Sequence, residues 1–167
     1  FNSTSGGAFT AIVNAFCDMN YVIFGAASNG IEVFHTFVCD KNQINIFRKS
    51  KYSQSVIGNS YKNVKHFLNE GKKVLFSGTP CQIAGLYSYL KKVDISQLLT
   101  VEVVCEGVPS PLYIRKFCRH LENKYKCEVE SIDYRYKGKC PFQSGKWDFE
   151  QQKTVLKRGG YKNGTSK

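Results

Sequence analysis

The sequence predicts an α/β fold, a layered domain with a mixed, partly parallel sheet flanked by helices. Three observations predict it. Apolar, strand-like runs recur at Tyr21–Ala27, Val74–Phe76 and Leu98–Val104. Segments of helical period follow or separate them, and this alternation favours parallel pairing. Asn29-Gly30, between Tyr21–Ala27 and the alternating Glu32–Val38, is a hairpin signal and adds an antiparallel pair.

The elements follow in order. Phe9, Ile12, Val13 and Phe16 recur at helical spacing. The preceding Ser3-Thr4-Ser5-Gly6-Gly7 offers a Ser/Thr cap. Lys41–Phe47 reads as a short helix and Lys51–Gly58 as a polar, irregular segment. Tyr61–Leu68 is helical, with Val64, Phe67 and Leu68 on one face, and Glu70-Gly71 ends it. Val74–Phe76 reads as a buried strand, with a helix over Gln82–Leu90 after it. Leu98–Val104 leads likewise to a helix over Leu112–Leu121. Val129–Tyr136 reads as a strand, and Phe142–Lys157 holds two short strands around Trp147 and Val155. The domain is expected to span residues 1–157, with 158–167 a linker or loop leading onward.

A chain of 167 residues is long enough for a real core. No apolar run approaches the roughly 20 residues a membrane helix needs. No signal peptide is visible, so a cytoplasmic location is expected. The net charge of +11 suits solubility, but also an anionic cofactor, an acidic protein partner or nucleic acid. No zinc-finger spacing or RNP-like strand supports a specific nucleic-acid module. Seven cysteines at irregular spacing read as free thiols in a reducing compartment rather than as a disulfide scaffold.

The chemistry concentrates at two cysteines. Val74-Leu75-Phe76-Ser77-Gly78-Thr79-Pro80-Cys81-Gln82 ends an apolar strand and places a thiol where a helix begins. Backbone N–H groups and the positive helix end suit an anionic sulfur there. Val101-Glu102-Val103-Val104-Cys105-Glu106-Gly107-Val108-Pro109-Ser110-Pro111 has the same form. In parallel strands both cysteines fall beyond the carboxyl ends, where open α/β sheets bind ligands. The plainer reading is two βα turns that hold small residues, since cysteine is often a buried hydrophobe. Two thiolates do not complete a cluster or zinc site. Cys140 is a candidate third ligand, whereas Cys17, Cys39, Cys118 and Cys127 read as packing or surface.

Two further segments suit an anionic ligand. Ser5, Gly6 and Gly7 can present hydroxyls and bare N–H groups at a helix start, although capping explains them equally. Lys49-Ser50-Lys51-Tyr52-Ser53-Gln54-Ser55 offers lysine, hydroxyls and a ring to a planar nucleotide such as a flavin, or is an exposed polar loop. His35, His66 and His120 stand isolated, and no Ser-His-Asp or paired-carboxylate pattern supports hydrolysis.

Taken together, Ser5-Gly6-Gly7, Lys51-Tyr52-Ser53-Gln54-Ser55 with Gly58, Gly78-Thr79-Pro80-Cys81-Gln82-Ile83-Ala84-Gly85 and Cys105-Glu106-Gly107-Val108-Pro109-Ser110-Pro111 form an ordered set. The set resembles the coenzyme F420 hydrogenase/dehydrogenase beta-subunit family, in its C-terminal domain. Ile83-Ala84-Gly85-Leu86 looks like a bacterial branch found near polysaccharide-synthesis functions.

The resemblance implies a cytoplasmic oxidoreductase that binds FAD beside a [4Fe-4S] cluster. Such a module relays electrons between a ferredoxin-like partner and a flavin or deazaflavin, coenzyme F420 included. It implies cluster ligation by Cys81 and Cys105. It places Ser5, Gly6, Gly7, Lys51, Tyr52 and Ser55 near the flavin nucleotide, with Thr79 and Pro80 shaping the wall between cluster and flavin. Gly78 is a cofactor-binding position where a bare backbone approaches the ligand. It leaves a homo-oligomer open. Relatives carry a Cys-x-x-Cys pair downstream, which this sequence does not reach, and often a His where Glu106 stands. A non-catalytic scaffold module in a cell-surface polysaccharide pathway is the alternative expectation.

Overall fold

The computed structural model describes residues 7–134 in full, and the backbone of 146–149 and 152–158. Helix α1 (Ala8–Phe16) leads into an antiparallel hairpin of β1 (Tyr21–Asn29) and β2 (Glu32–Val38). A 3-10 helix covers Lys41–Phe47. Then come α2 (Ser60–Asn69), β3 (Lys73–Gly78), α3 (Pro80–Tyr89), β4 (Leu98–Glu102) and α4 (Pro111–Tyr125). Strands β5 (Val129–Asp133), β6 (Lys146–Phe149) and β7 (Gln152–Arg158) form a second, antiparallel sheet in the order β5-β7-β6.

The main sheet has the order β2-β1-β3-β4. Strands β1, β3 and β4 run parallel, and only β2 opposes its neighbour. The mixed, partly parallel sheet expected from the sequence is therefore present. Strand residues alternate between two cores, as a period of two requires. Val22, Phe24, Val74 and Phe76 face α2 and α3, where they meet Val64, Leu68, Ile83 and Leu86. Ile23, Ala27 and Leu75 face the other way, against Val13, Ile44 and Phe47 of α1 and the 3-10 helix. A Cβ at Gly25 would lie 3.0 Å from the Phe47 ring, so a bare backbone lets that helix close on the sheet.

Three details differ from what the sequence suggests. The two turn residues of the hairpin are Gly30 and Ile31, with Asn29 paired to Glu32 as the last rung of the ladder. Gly30 takes φ 59 at the first central position, the place where a type II′ turn needs glycine. The N-cap position of α1 is Gly7, at φ 77, rather than a serine or threonine, and it makes no side-chain capping bond. Finally, β4 stops at Glu102 and α4 starts at Pro111, leaving Cys105 within a loop. The expected linker lies almost wholly outside the described residues, as do Ser5, Gly6 and Cys140.

Candidate functional site

Because β1, β3 and β4 are parallel, their carboxyl ends share one edge of the sheet. That edge carries the hairpin tip after β1, the Gly78–Cys81 turn after β3 and the 103–110 loop after β4. The irregular 48–58 segment lies against the same edge. His35 N–H donates to the Val56 carbonyl at 2.9 Å, and Val56 N–H donates to Val33, so the segment adds a parallel bridge alongside β2. Gln54 N–H donates to the Pro109 carbonyl at 3.1 Å, which ties the segment to the Cys105 loop. Val103 N–H donates to the Gly78 carbonyl at 2.9 Å, which ties that loop to the Cys81 turn. Three of the four sequence motifs thus converge.

The Cys81 turn is built by its capping chemistry. Thr79 is the N-cap of α3 and Pro80 the first helical residue, where a missing N–H costs nothing. Gln82, three residues after the cap, turns its side chain back, and its Oε1 accepts the Thr79 N–H at 3.0 Å. Cys81 sits in this first helical turn with an exposed side chain. Its Sγ lies 3.2 Å from the Thr79 hydroxyl. A Cβ at Gly78 would meet the Gln82 side chain at 3.2 Å and Phe76 at 3.0 Å. Glycine at 78 therefore makes room for the folded-back glutamine.

Cys105 is held differently. It is half-buried in the loop, three residues beyond the end of β4, and is not in a helical turn. The resemblance between the two turns is confined to their helix starts. Ser110 caps α4, its hydroxyl accepting the Tyr113 N–H at 3.3 Å, and Pro111 follows as the first helical residue.

Beneath the Cys81 turn lies a buried polar cluster that the sequence pattern does not reveal. His35, Ser55 and Gln82 are 7 %, 8 % and 8 % exposed. His35 Nε2 is 3.0 Å from the Ser77 carbonyl, and its Nδ1 is 2.8 Å from Ser55 Oγ. A carbonyl only accepts, so Nε2 carries the proton and Nδ1 accepts from the Ser55 hydroxyl. Ser55 Oγ in turn accepts from Gln82 Nε2 at 2.9 Å. This arrangement fits a neutral imidazole, and the second Gln82 N–H points to the Ser55 carbonyl at 3.5 Å. Burial pulls His35 below the ordinary histidine range, and its bond to the Ser77 carbonyl pushes the other way. The ring stacks on Phe76 at 5.2 Å. Tyr61, from α2, donates to the Gln82 carbonyl at 2.7 Å and closes the far side. His35 is thus not isolated. Its partners stand 20 and 42 residues away, beyond the reach of local pattern.

The remaining candidate residues are placed as follows. Ser55 spends its hydroxyl inside this cluster. Lys51 donates to the carbonyls of Phe47, Arg48 and Lys49 at 3.2, 2.8 and 3.2 Å, so its three N–H groups cap the end of the 3-10 helix. Burial, helped by the neighbouring charge of Lys49, lowers Lys51 to about 8. Tyr52 packs edge-on against Tyr134 at 5.7 Å. Gly7 caps α1 on the opposite face of the sheet. Lys49, Ser50 and Lys51 line a small cavity with Asp133 and Tyr134.

A [4Fe-4S] cluster takes four ligands, usually thiolates. The described residues bring two thiols to this edge, and among them no group of three His, Cys, Asp or Glu side chains could hold a metal ion. Cys17, Cys118 and Cys127 are buried, and burial raises the first two to about 11. Cys39 is exposed. The described residues alone do not make up a cluster's ligand set.

A family model for the C terminus of the coenzyme F420 hydrogenase/dehydrogenase beta subunit matches residues 71–162, more than half of the chain. The chain belongs to this family. The matched range contains Gly78, Thr79, Pro80, Cys81 and Cys105, but none of the upstream candidates. Among solved structures, a chain of the F420-reducing [NiFe] hydrogenase complex from Methanosarcina barkeri, studied by xenon derivatization, is similar in fold. It aligns with a TM-score of 0.56 at 16 % identity, over 92 % of this chain. The present chain spans 55 % of that relative's length. No curated protein matches the sequence. Among the described residues no helix is long and apolar enough to cross a membrane.

Proposed function

We propose that this F420 hydrogenase/dehydrogenase beta-subunit domain is an oxidoreductase module whose redox group sits at the carboxyl edge of the parallel sheet. The observation that supports it best is Cys81, an exposed thiol in the first turn of α3, with Cys105 on the loop that hydrogen-bonds to the same turn. In this reading the two thiols supply two ligands of a [4Fe-4S] cluster, and the other ligands come from outside the described residues. When bound, such a cluster supplies one-electron transfer, and a flavin (FAD) or deazaflavin (coenzyme F420) beside it supplies hydride exchange.

The chain's own residues do the positioning. Thr79 and Pro80 start α3 so that Cys81 falls in its first turn, at the positive end of the helix dipole, which suits an anionic sulfur. Gly78 makes room for the Gln82 side chain that folds back on the Thr79 N–H. Lys51 and Ser55 shape the site from behind, because their polar groups are already engaged. The charge of +11 suits an acidic, ferredoxin-like partner or an anionic deazaflavin. A location in the cytoplasm, where such carriers stay reduced, completes the reading.

The test is iron, sulfide and flavin analysis with a visible spectrum on anaerobically purified full-length protein, followed by reduction of the deazaflavin. Bound iron that Cys81→Ala and Cys105→Ala each remove is the expected result. Protein that holds neither iron nor flavin after anaerobic reconstitution would end the proposal.

A further inference from the structure

The His35–Ser55–Gln82 cluster joins three segments that are distant in sequence, and all of its bonds lead to the Cys81 turn. One end holds the Ser77 carbonyl and the other the Thr79 N–H, so the cluster grips β3 and α3 on both sides of Gly78. Gln82 is held at both faces of its amide. Its nitrogen donates to Ser55 and its oxygen accepts from Thr79, so the amide has one orientation. None of these bonds is made to solvent, and each of the three side chains is more than nine-tenths buried. Buried polar groups that are fully satisfied rigidify their surroundings, whereas a single deletion leaves partners stranded.

We propose that His35, Ser55 and Gln82 are positioning residues that fix the Thr79–Cys81 turn, and with it the location of the Cys81 thiol. None of them faces the thiol. Ser55 acts at two removes: its hydroxyl holds the Gln82 amide, and that amide holds the Thr79 N–H. The inference rests on the proposed function only for why Cys81 needs a fixed place. The clamp itself stands on the hydrogen bonds.

Residue-resolved hydrogen exchange on the protein without iron tests it, with alkylation of Cys81 measured against the exposed Cys39 as internal reference. In Ser55→Ala the backbone N–H groups of Thr79, Gln82 and Ile83 are expected to exchange at least 10-fold faster, although Ser55 bonds to none of these three backbone groups. The ratio of Cys81 to Cys39 alkylation is expected to change with them. Ser55→Thr, which keeps the hydroxyl, is expected to restore both. Gln82→Leu, should Ser55→Ala fold poorly, is expected to speed the same amides. Val13→Ala weakens the opposite core and serves as the control for a general loss of stability. Exchange in Ser55→Ala that stays at the wild-type rate, or that rises equally in β1 and in the turn as in Val13→Ala, overturns the proposal. So does a Ser55→Thr protein that behaves like Ser55→Ala. Wild-type protein that binds no iron but shows this exchange pattern would end the cluster reading and leave the clamp standing.

Discussion

The two cysteine-bearing turns start from similar sequence and reach different structures. After β3 the chain enters α3 at once, through a cap whose glutamine is anchored in a buried network. After β4 it wanders through 103–110 before α4, held by backbone bonds to Gly78 and Gln54. Val104, next to Cys105, is 92 % exposed, while Gln82, next to Cys81, is 8 % exposed. The difference shows that a shared cap, Thr-Pro or Ser-Pro, fixes where a helix starts but not where the nearby cysteine stands relative to it. Rigidity at Cys81 comes from what lies beneath it.

The contrast should be largest in the strands. Phe76 is fully buried under His35, Tyr61 and Phe24. Phe76→Ala should cost about 3–5 kcal/mol, as large-to-small changes of buried aromatics do. Val101, half-buried on the outermost strand, should cost only about 1 kcal/mol as Val101→Ala. Denaturant unfolding of both variants measures this, and equal losses would break the comparison.

The two glycines sharpen it further. A methyl at Gly78 meets the Phe76 ring and Gln82 within 3.2 Å, so Gly78→Ala should cost about 1–3 kcal/mol by overpacking and should displace Gln82. At Gly107 a methyl meets nothing, but φ 123 strains any L residue. Gly107→Ala should therefore cost about 1 kcal/mol or less as the exposed loop relaxes. Unfolding curves give the costs. Faster exchange at the Thr79 amide should appear for Gly78→Ala alone.

Much of this is legible in the sequence, for physical reasons that can be named. Glu32–Val38 alternates as far as Thr36 and pairs antiparallel with β1, and Val74–Phe76 is apolar on both faces because both faces are covered. The thiol at the start of α3 is also visible, since Thr-Pro before a helix is a local signal. The clamp is not, because its partners meet only when β2, the 48–58 segment and α3 pack. Two hints exist. His35 shares the parity of Val33 on β2, which puts a polar ring where an apolar one is expected. Thr79-Pro80-Cys81-Gln82 also fits the S/T-x-x-E/Q capping pattern. Composition suggests Ser55 and Lys51 as ligand contacts, yet it cannot tell a hydroxyl or ammonium that faces a ligand from one that holds the backbone.

The clamp should also give the Cys81 side a pH dependence that the Cys105 side lacks. His35 is held neutral, with its folded pKa below the unfolded value near 6.5. Below that value the unfolded state binds the extra proton, so stability falls as pH falls. The contribution is fully present above about pH 6.5, and the slope below cannot exceed about 1.4 kcal/mol per pH unit. A phenylalanine at this place cannot take the proton. His35→Phe should be less stable near neutrality, and its deficit should shrink as the pH drops through this window. Parallel stability curves for the two proteins would sink this.

The smallest expected effect leaves stability untouched and separates the thiols by rate. With a pKa of about 11, Cys17 and Cys118 hold only about a thousandth of their thiols as thiolate at pH 8, and they are buried as well. Native protein treated briefly with iodoacetamide should therefore label Cys39 and Cys81 first, and Cys105 more slowly, since it is half-buried. Cys17 and Cys118 should label only on unfolding. Site-resolved mass spectrometry reads the order. If Cys105 were to label as fast as Cys81, the loop after β4 would present its thiol as openly as the capped turn. The clamp would then govern where the Cys81 sulfur sits rather than which of the two sulfurs is reached first.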